Sequence, residues 1–243
     1  MDNFFTFNRV TFIGFGLINS SLARVFKSKS LAKEICAYSR RKETLLKIKD
    51  LDIADYIYDD IKKSVENSDL IILGVPVGAM TSLVKEFASS LKKGAIVTDV
   101  GSIKKSILDS ISLELPNGIH FVPGHPIAGT ENSGPEAGFE DLFKGRWCIL
   151  TPNENTSKEA IEKVEYIWQQ AGMKVTIMDA EYHDRVLAIT SHIPHLVAYS
   201  IVGTVTDLED QLKTEVIKYS AGGFRDFTRI AASDPVMWRD VFL

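Results

Sequence analysis

Three blocks of the 243-residue chain carry side chains able to handle protons or carboxylates. Phe121 to Gly138 reads FVPGHPIAGTENSGPEAG, whose glycines and prolines rule out a regular helix and put His125 in a shaped loop after a strand. An imidazole titrates near neutrality, so His125 suits the removal of a proton from a hydroxyl that is losing hydride; the same ring can instead tie down a turn. In TSHIPHLVAYS, Ser191 and His195 are four residues apart and share a face of a helix, while His192 points elsewhere unless Pro194 distorts the turn. That His-x-x-His spacing has no third ligand at a fitting distance, so no metal is expected. In SAGGFRDFTRIAASDP, Arg225 follows a Gly-Gly turn, where its guanidinium can fork onto a substrate carboxylate or pair with Asp226.

A fourth block, VTFIGFGLINSSL, reads as a strand, a glycine turn and a helix. Gly14 permits the tight turn and Gly16 the approach of a pyrophosphate, which would meet the helix end opened by Leu17 and Ile18. Asn19 stands where the Gly-x-Gly-x-x-Gly pattern has its third glycine, a position concerned with packing helix on strand, so the helix is expected to sit slightly further out. After the second strand, an Asp or Glu normally binds the ribose of NAD; here the residues are Ser39, Arg40 and Arg41. A hydroxyl and two guanidiniums favour a 2′-phosphate, hence NADP over NAD, unless the arginines merely begin a solvated helix. GVPVGAM, with Val75 and Pro76, is placed along the nicotinamide half of the cofactor. TDVGSIKKS brings Gly101, Ser102 and Lys104 to the same crevice, although Lys104 and Lys105 also read as the start of a solvated helix.

These loops need a sheet to hold them. Apolar runs at Val10–Ile13, Glu34–Tyr38, Leu70–Val75, Ala95–Asp99 and Phe121–Val122 alternate with helical stretches and lack strict polar alternation. They read as parallel strands covered on both faces, the pattern of a doubly wound α/β fold. RWCILTP and KVTIMDA are expected to extend that sheet at its far edge. Beyond Asp179 the spacing becomes helical, with a kink expected at Pro194, which divides the chain into a dinucleotide-binding domain at 1–179 and an all-helical domain at 180–243. The net charge of −4 gives no footprint for nucleic acid or a membrane surface. Cys36 and Cys148 both lie in apolar runs and read as core thiols. With no signal peptide at the start and no apolar run long enough to span a bilayer, a soluble protein of the cytoplasm is expected.

Taken in order, GFGLINSSLA, VTDVGSIK, GHPIAGTENSG, LTP, HD, SHIPH and GFRDFTRIAASDP resemble the prephenate/arogenate (cyclohexadienyl) dehydrogenase family of tyrosine biosynthesis, over nearly the whole chain. The resemblance implies a Rossmann-type domain followed by a helical one that forms a homodimer. It implies NAD(P)-dependent oxidation of prephenate or arogenate, with loss of the ring carboxylate as carbon dioxide. Carried over by motif, His125 accepts the proton of the substrate hydroxyl, Ser102 helps hold that hydroxyl, and Arg225 binds the ring carboxylate. His195, with Ser191, lies near the substrate side chain; Thr130 and Glu131 match a loop that lines and gates the site, and Asp184 matches an orienting acid. The sequence departs from the family at Asn19 and at the missing acid after the second strand, and relatives continue with more helix beyond MWRDVFL. The competing readings are another hydride-transferring dehydrogenase, of the hydroxyacid or imine-reducing type, and a nucleotide-binding paralogue without turnover.

Overall fold

The computed structural model describes residues 6–130, 132–233 and 235–242. The chain falls into two compact units, Met1–His183 and Asp184–Leu243. The first opens with β1 (Phe7–Ile13), α1 (Leu17–Ser28), β2 (Ala32–Tyr38), α2 (Lys42–Asp50), β3 (Tyr56–Tyr58) and α3 (Ile61–Val65). It continues with β4 (Leu70–Leu73), α4 (Val77–Phe87), β5 (Ile96–Asp99), α5 (Lys105–Glu114) and β6 (His120–Val122). The six strands form one parallel sheet in the order β3-β2-β1-β4-β5-β6. β3, only three residues long and partly exposed, is absent from the apolar runs that mark the other strands.

The buried stretches of the central strands are largely apolar because both faces are covered, and β4, LIIL, is apolar at every position. Within β4, Leu70 and Ile72 join a cluster with Phe12, Phe26 of α1 and Trp168, whereas Ile71 and Leu73 join Ile13, Phe87 and Ile111 on the opposite face. Alternate side chains of a strand point to opposite faces, so a doubly covered strand is apolar at most successive positions rather than at every second one. The order reverses between β1 and β4, and ligands of such sheets gather where the loops at the carboxyl ends of those strands part.

Asn19 sits at this parting and is 1% exposed. Its amide nitrogen reaches the carbonyls of Ile13 at 3.3 Å, Gly14 at 2.8 Å and Ile72 at 3.3 Å, joining β1, its turn and β4. Room for the side chain is made across the crevice: a Cβ on Gly74 would stand 2.3 Å from Asn19 Nδ2. The departure from the glycine pattern is therefore matched by a glycine in the neighbouring loop, and the asparagine adds a tether between strands.

Two sequence expectations are corrected. RWCILTP and KVTIMDA do form strands, but not at the edge of the parallel sheet. They are β8 (Trp147–Leu150) and β9 (Lys174–Ile177), which with β7 (Gly124–Pro126) build a separate three-stranded sheet in the order β7-β8-β9, with α6 (Lys158–Gln170) between the last two. Pro123 follows β6 directly, and its carbonyl accepts from Thr151 N at 3.0 Å, so the chain leaves the first sheet and pairs antiparallel with β8. The second correction is His125, which lies in β7 opposite Ile149 rather than in a loop. Cys36 and Cys148 are buried free thiols, and burial raises the Cys36 pKa to about 11 and that of Cys148 well above its ordinary value.

The helices that end the chain are α7 (Ala180–Leu187), α8 (Ile193–Thr206), α9 (Asp210–Tyr219), α10 (Gly222–Thr228) and α11 (Pro235–Phe242). A π-helical turn at Ala188–His192 joins α7 to α8, and Pro194 occupies the first turn of α8. Proline offers no N–H to the carbonyl four residues back, and the widened turn before it is the local distortion that results. The run Ala180–Thr206 is, by length and composition alone, long and apolar enough to cross a membrane, with a mean hydropathy of 1.4 over an 18-residue stretch within it. In the second unit α8 packs against α9 and α10.

Gly74→Ala is expected to destabilise the protein by about 1–3 kcal/mol, the range for overpacking a filled site. Adding Asn19→Gly should recover most of that loss. Chemical denaturation of both single variants and the double variant measures the coupling, and simple additivity would contradict the packing described.

Candidate active site

Parallel pairing places the turns after β1, β2, β4 and β5 along one edge of the sheet. Gly14 has φ +82°, and a Cβ there would lie 2.6 Å from the Gly74 carbonyl oxygen, so glycine is needed both for conformation and for room. At Gly16, the N-cap of α1, nothing among the described residues stands within 4 Å of where a Cβ would be. Among the described residues no side chain caps α1, and the amides of its first turn, at Leu17 and Ile18, have no acceptor within the helix. An open glycine step leading to unsatisfied amides at the positive end of a helix fits the diphosphate of a dinucleotide. Val75, whose Cγ1 would stand 2.7 Å from a Gly14 Cβ, and Pro76, the N-cap of α4, border the same turn.

The Ser39–Arg41 segment adjoins it, since Gly14 N donates to the Tyr38 carbonyl at 3.1 Å. Ser39 Oγ accepts from Arg41 N at 3.2 Å, which shapes the bend ahead of α2. Arg40 and Arg41 are exposed, and among the described residues no carboxylate forms an ion pair with either.

Beyond β5 the chain turns through Val100–Lys104. Asp99 and Lys104 are 0% exposed and form an ion pair. The reading of Lys104 as part of a solvated helix start fails, while Lys105 fits it through an exposed pair with Asp109. Asp99 Oδ2 also accepts from Gly101 N at 2.8 Å, and Asp99 Oδ1 accepts from Gly124 N at 3.2 Å. Lys104 Nζ donates to the Gly124 carbonyl at 2.8 Å. Ser102 is half-buried in the turn so anchored.

His125 is 8% exposed, and its Nδ1 lies 2.8 Å from Nε2 of the fully buried His183. One of the two nitrogens must donate and the other accept. If Nδ1 of His125 carries the hydrogen, Nε2 keeps its lone pair and is the basic atom. Sequence spacing shows His183 only as part of an HD pair and does not single it out as a site residue, because 58 residues separate the two rings along the chain. Thr130 is exposed and its hydroxyl accepts from Asn132 N at 3.3 Å, which does not bring it to His125; Glu131 lies outside the described residues.

The remaining predicted residues belong to the second unit. His195 Nδ1 is 2.9 Å from the Ser191 carbonyl, which can only accept, so Nδ1 carries the hydrogen and Nε2 is left as the free lone pair of the neutral ring. The imidazole stacks on Trp238 at 3.8 Å between centroids, and His192 meets the same indole edge-on at 6.0 Å. Thus His192 does not point away from His195: both rings converge on Trp238, a residue that sequence spacing did not single out. Arg225 is exposed on α10 and, among the described residues, is not paired with Asp226 or any other acid. No three His, Cys, Asp or Glu side chains among the described residues gather as a metal site.

The family model for the prephenate dehydrogenase nucleotide-binding domain matches residues 22–177, and that for the prephenate dehydrogenase dimerization domain matches 179–243. The chain belongs to the prephenate dehydrogenase family. It is 42% identical to a cyclohexadienyl dehydrogenase of Zymomonas mobilis, over 98% of this chain and 80% of that one. It is 36% identical to a prephenate dehydrogenase of Bacillus subtilis, over 95% of this chain but only 62% of the relative's length. The fold is similar, with a TM-score of 0.89 and 36% identity, to prephenate dehydrogenase from A. aeolicus in complex with hydroxyphenyl propionate and NAD+, covering 97% of this chain and 82% of that one. The match to this family bears out the resemblance carried by the GHPIAGTE, SHIPH and GFRD blocks, and a nicotinamide cofactor goes with it.

Lys104→Met is expected to cost about 3–5 kcal/mol of stability, because it leaves the Asp99 carboxylate buried and unpaired. Urea denaturation measures it, and a loss below about 1 kcal/mol, the size of an exposed pair, would contradict the burial described.

Proposed function

We propose that the chain is a nicotinamide-dependent dehydrogenase that oxidises the ring hydroxyl of prephenate or arogenate while the ring carboxylate leaves as carbon dioxide. The observation that carries this reading is the buried His125–His183 contact on a strand beside the cofactor edge, in a chain matched along its length by one family. His183 accepts from Nδ1 of His125, so Nε2 of His125 takes the proton of the hydroxyl, and Ser102 holds the same oxygen. Arg225, exposed on α10, supplies a two-pronged partner for the ring carboxylate. His195 and Ser191 sit near the substrate side chain, and Thr130 and Glu131 belong to the gating loop. When bound, the cofactor supplies the hydride-accepting chemistry. Gly14, Gly16, Leu17 and Ile18 would hold its diphosphate, with Val75, Pro76 and Gly101 toward the nicotinamide. Prephenate and arogenate present the same ring and differ at the side chain, so both belong to the reading.

NADP is the preferred cofactor on this reading, because Ser39, Arg40 and Arg41 offer a hydroxyl and two exposed guanidiniums where a ribose-binding acid would repel a phosphate. The protein acts in the cytoplasm as a homodimer joined through its helical unit. Ile189, Ile193, Leu196 and Val197 are exposed at a spacing that puts them on one face of the long helical run, and the region matches a family dimerization domain.

His125→Asn should lower kcat by about 10²–10⁴-fold, the usual contribution of a general base, with little change in cofactor affinity. Arg225→Gln should act mainly by raising KM for the substrate. Steady-state rates with prephenate and arogenate check both, and wild-type rates in both variants would refute the assignment. In the same assay NADP should be used in preference to NAD. Replacing Arg40 and Arg41 by Ala should raise KM for NADP by about 10-fold or more, the scale of one charge-assisted hydrogen bond, and leave KM for NAD nearly unchanged. A strong preference of the wild type for NAD would refute the assignment of these residues.

A further inference from the structure

The Asp99–Lys104 pair is fully buried and has no direct part in the chemistry proposed above, yet its hydrogen bonds converge on the residues that precede the two hydroxyl-handling groups. Asp99 Oδ2 accepts from Gly101 N at 2.8 Å, next to Ser102, and Asp99 Oδ1 accepts from Gly124 N at 3.2 Å, next to His125. Lys104 Nζ, paired with the same carboxylate, donates to the Gly124 carbonyl at 2.8 Å.

The topology makes such a device necessary. β7 is an edge strand of three residues paired only with β8, and Gly124 meets Asp99 and Lys104 with both its N–H and its C=O. A buried edge strand cannot leave those groups unpaired. The carboxylate supplies the acceptor and the ammonium the donor that a further strand would have offered. The fit is close, since a Cβ on Gly124 would stand 3.0 Å from the Asp99 carbonyl oxygen. A buried ion pair is a poor source of net stability compared with apolar packing, so its placement needs another reason.

We propose that Asp99 and Lys104 are positioning residues that set the placement of His125 relative to Ser102, through the backbones of Gly124 and Gly101, without touching substrate or cofactor. The proposal rests on the reading of His125 as the base. Replacing both residues by apolar ones of similar shape, Asp99→Leu with Lys104→Met, removes the charges together and avoids stranding either.

The test measures kcat, KM, cofactor binding by fluorescence titration and imidazole 15N–1H NMR for this double variant and for Lys104→Gln. The His125 signals are assigned by their loss in His125→Asn. The expected result is a folded double variant with a cofactor Kd within about twofold of wild type, a kcat lower by about 10²-fold, as a misplacement near 1 Å produces, and displaced His125 resonances. Lys104→Gln, which keeps a donor for the Gly124 carbonyl, should recover part of kcat. A folded double variant with wild-type kcat overturns the proposal. So does failure of both variants to fold, which would make the pair a support of the fold alone. If the wild type oxidises neither substrate with either cofactor, the functional reading fails instead, and the His125 resonances still decide the placement: unchanged resonances in the folded double variant overturn it.

Discussion

Where two parallel strands send their chains to opposite faces, the backbone groups at the parting need partners, and here Asn19 spans it. Its amide nitrogen is shared among the carbonyls of Ile13, Gly14 and Ile72. The turn after β1 can then open toward a ligand without loosening the sheet beneath it. A glycine at this position would leave the turn held by backbone alone. The asparagine requires a facing residue with no side chain, and Gly74 meets that requirement on β4's loop.

From that parting outward, the candidate site groups of the first unit are held by something buried rather than by surface packing. The Gly14 turn leans on β2 through Tyr38, β5 ends in a carboxylate that ties the loop after it to β7, and the His125 ring rests against His183. Buried polar contacts are directional, and a low-dielectric setting makes them costly to break. The result is an edge held by directional contacts, on which a dinucleotide and a hydroxyl can be brought together. Rigid positioning of this kind is what hydride transfer asks of a protein, since the reactive chemistry belongs to the cofactor.

Much of this was legible in the sequence. Strands covered on both faces must be apolar at successive positions, and LIIL and its counterparts show that at once. The glycines at 14 and 16 likewise declare a turn and a close approach. Less visible were the short strand Tyr56–Tyr58, with its exposed side chains, and the departure of RWCILTP and KVTIMDA into a second sheet. A strand's apolar pattern reports that it is buried, not which neighbour it pairs with. Trp238 was missed for a related reason: 43 residues separate it from His195, and no local period links an indole to an imidazole stacked on it.

The amino-acid sequence by itself determined the alternation of strand and helix, the cofactor turn, and the residue types brought to the chemistry, because these follow from local periodicity and from what each side chain can donate or accept. Only the tertiary structure decided that Lys104 is buried against Asp99 rather than solvated, that His125 lies on a strand against His183, and that Asn19 is accommodated by Gly74. Those outcomes depend on groups far apart in the chain meeting in a place without water, where an unpaired charge or amide would be too unfavourable to persist.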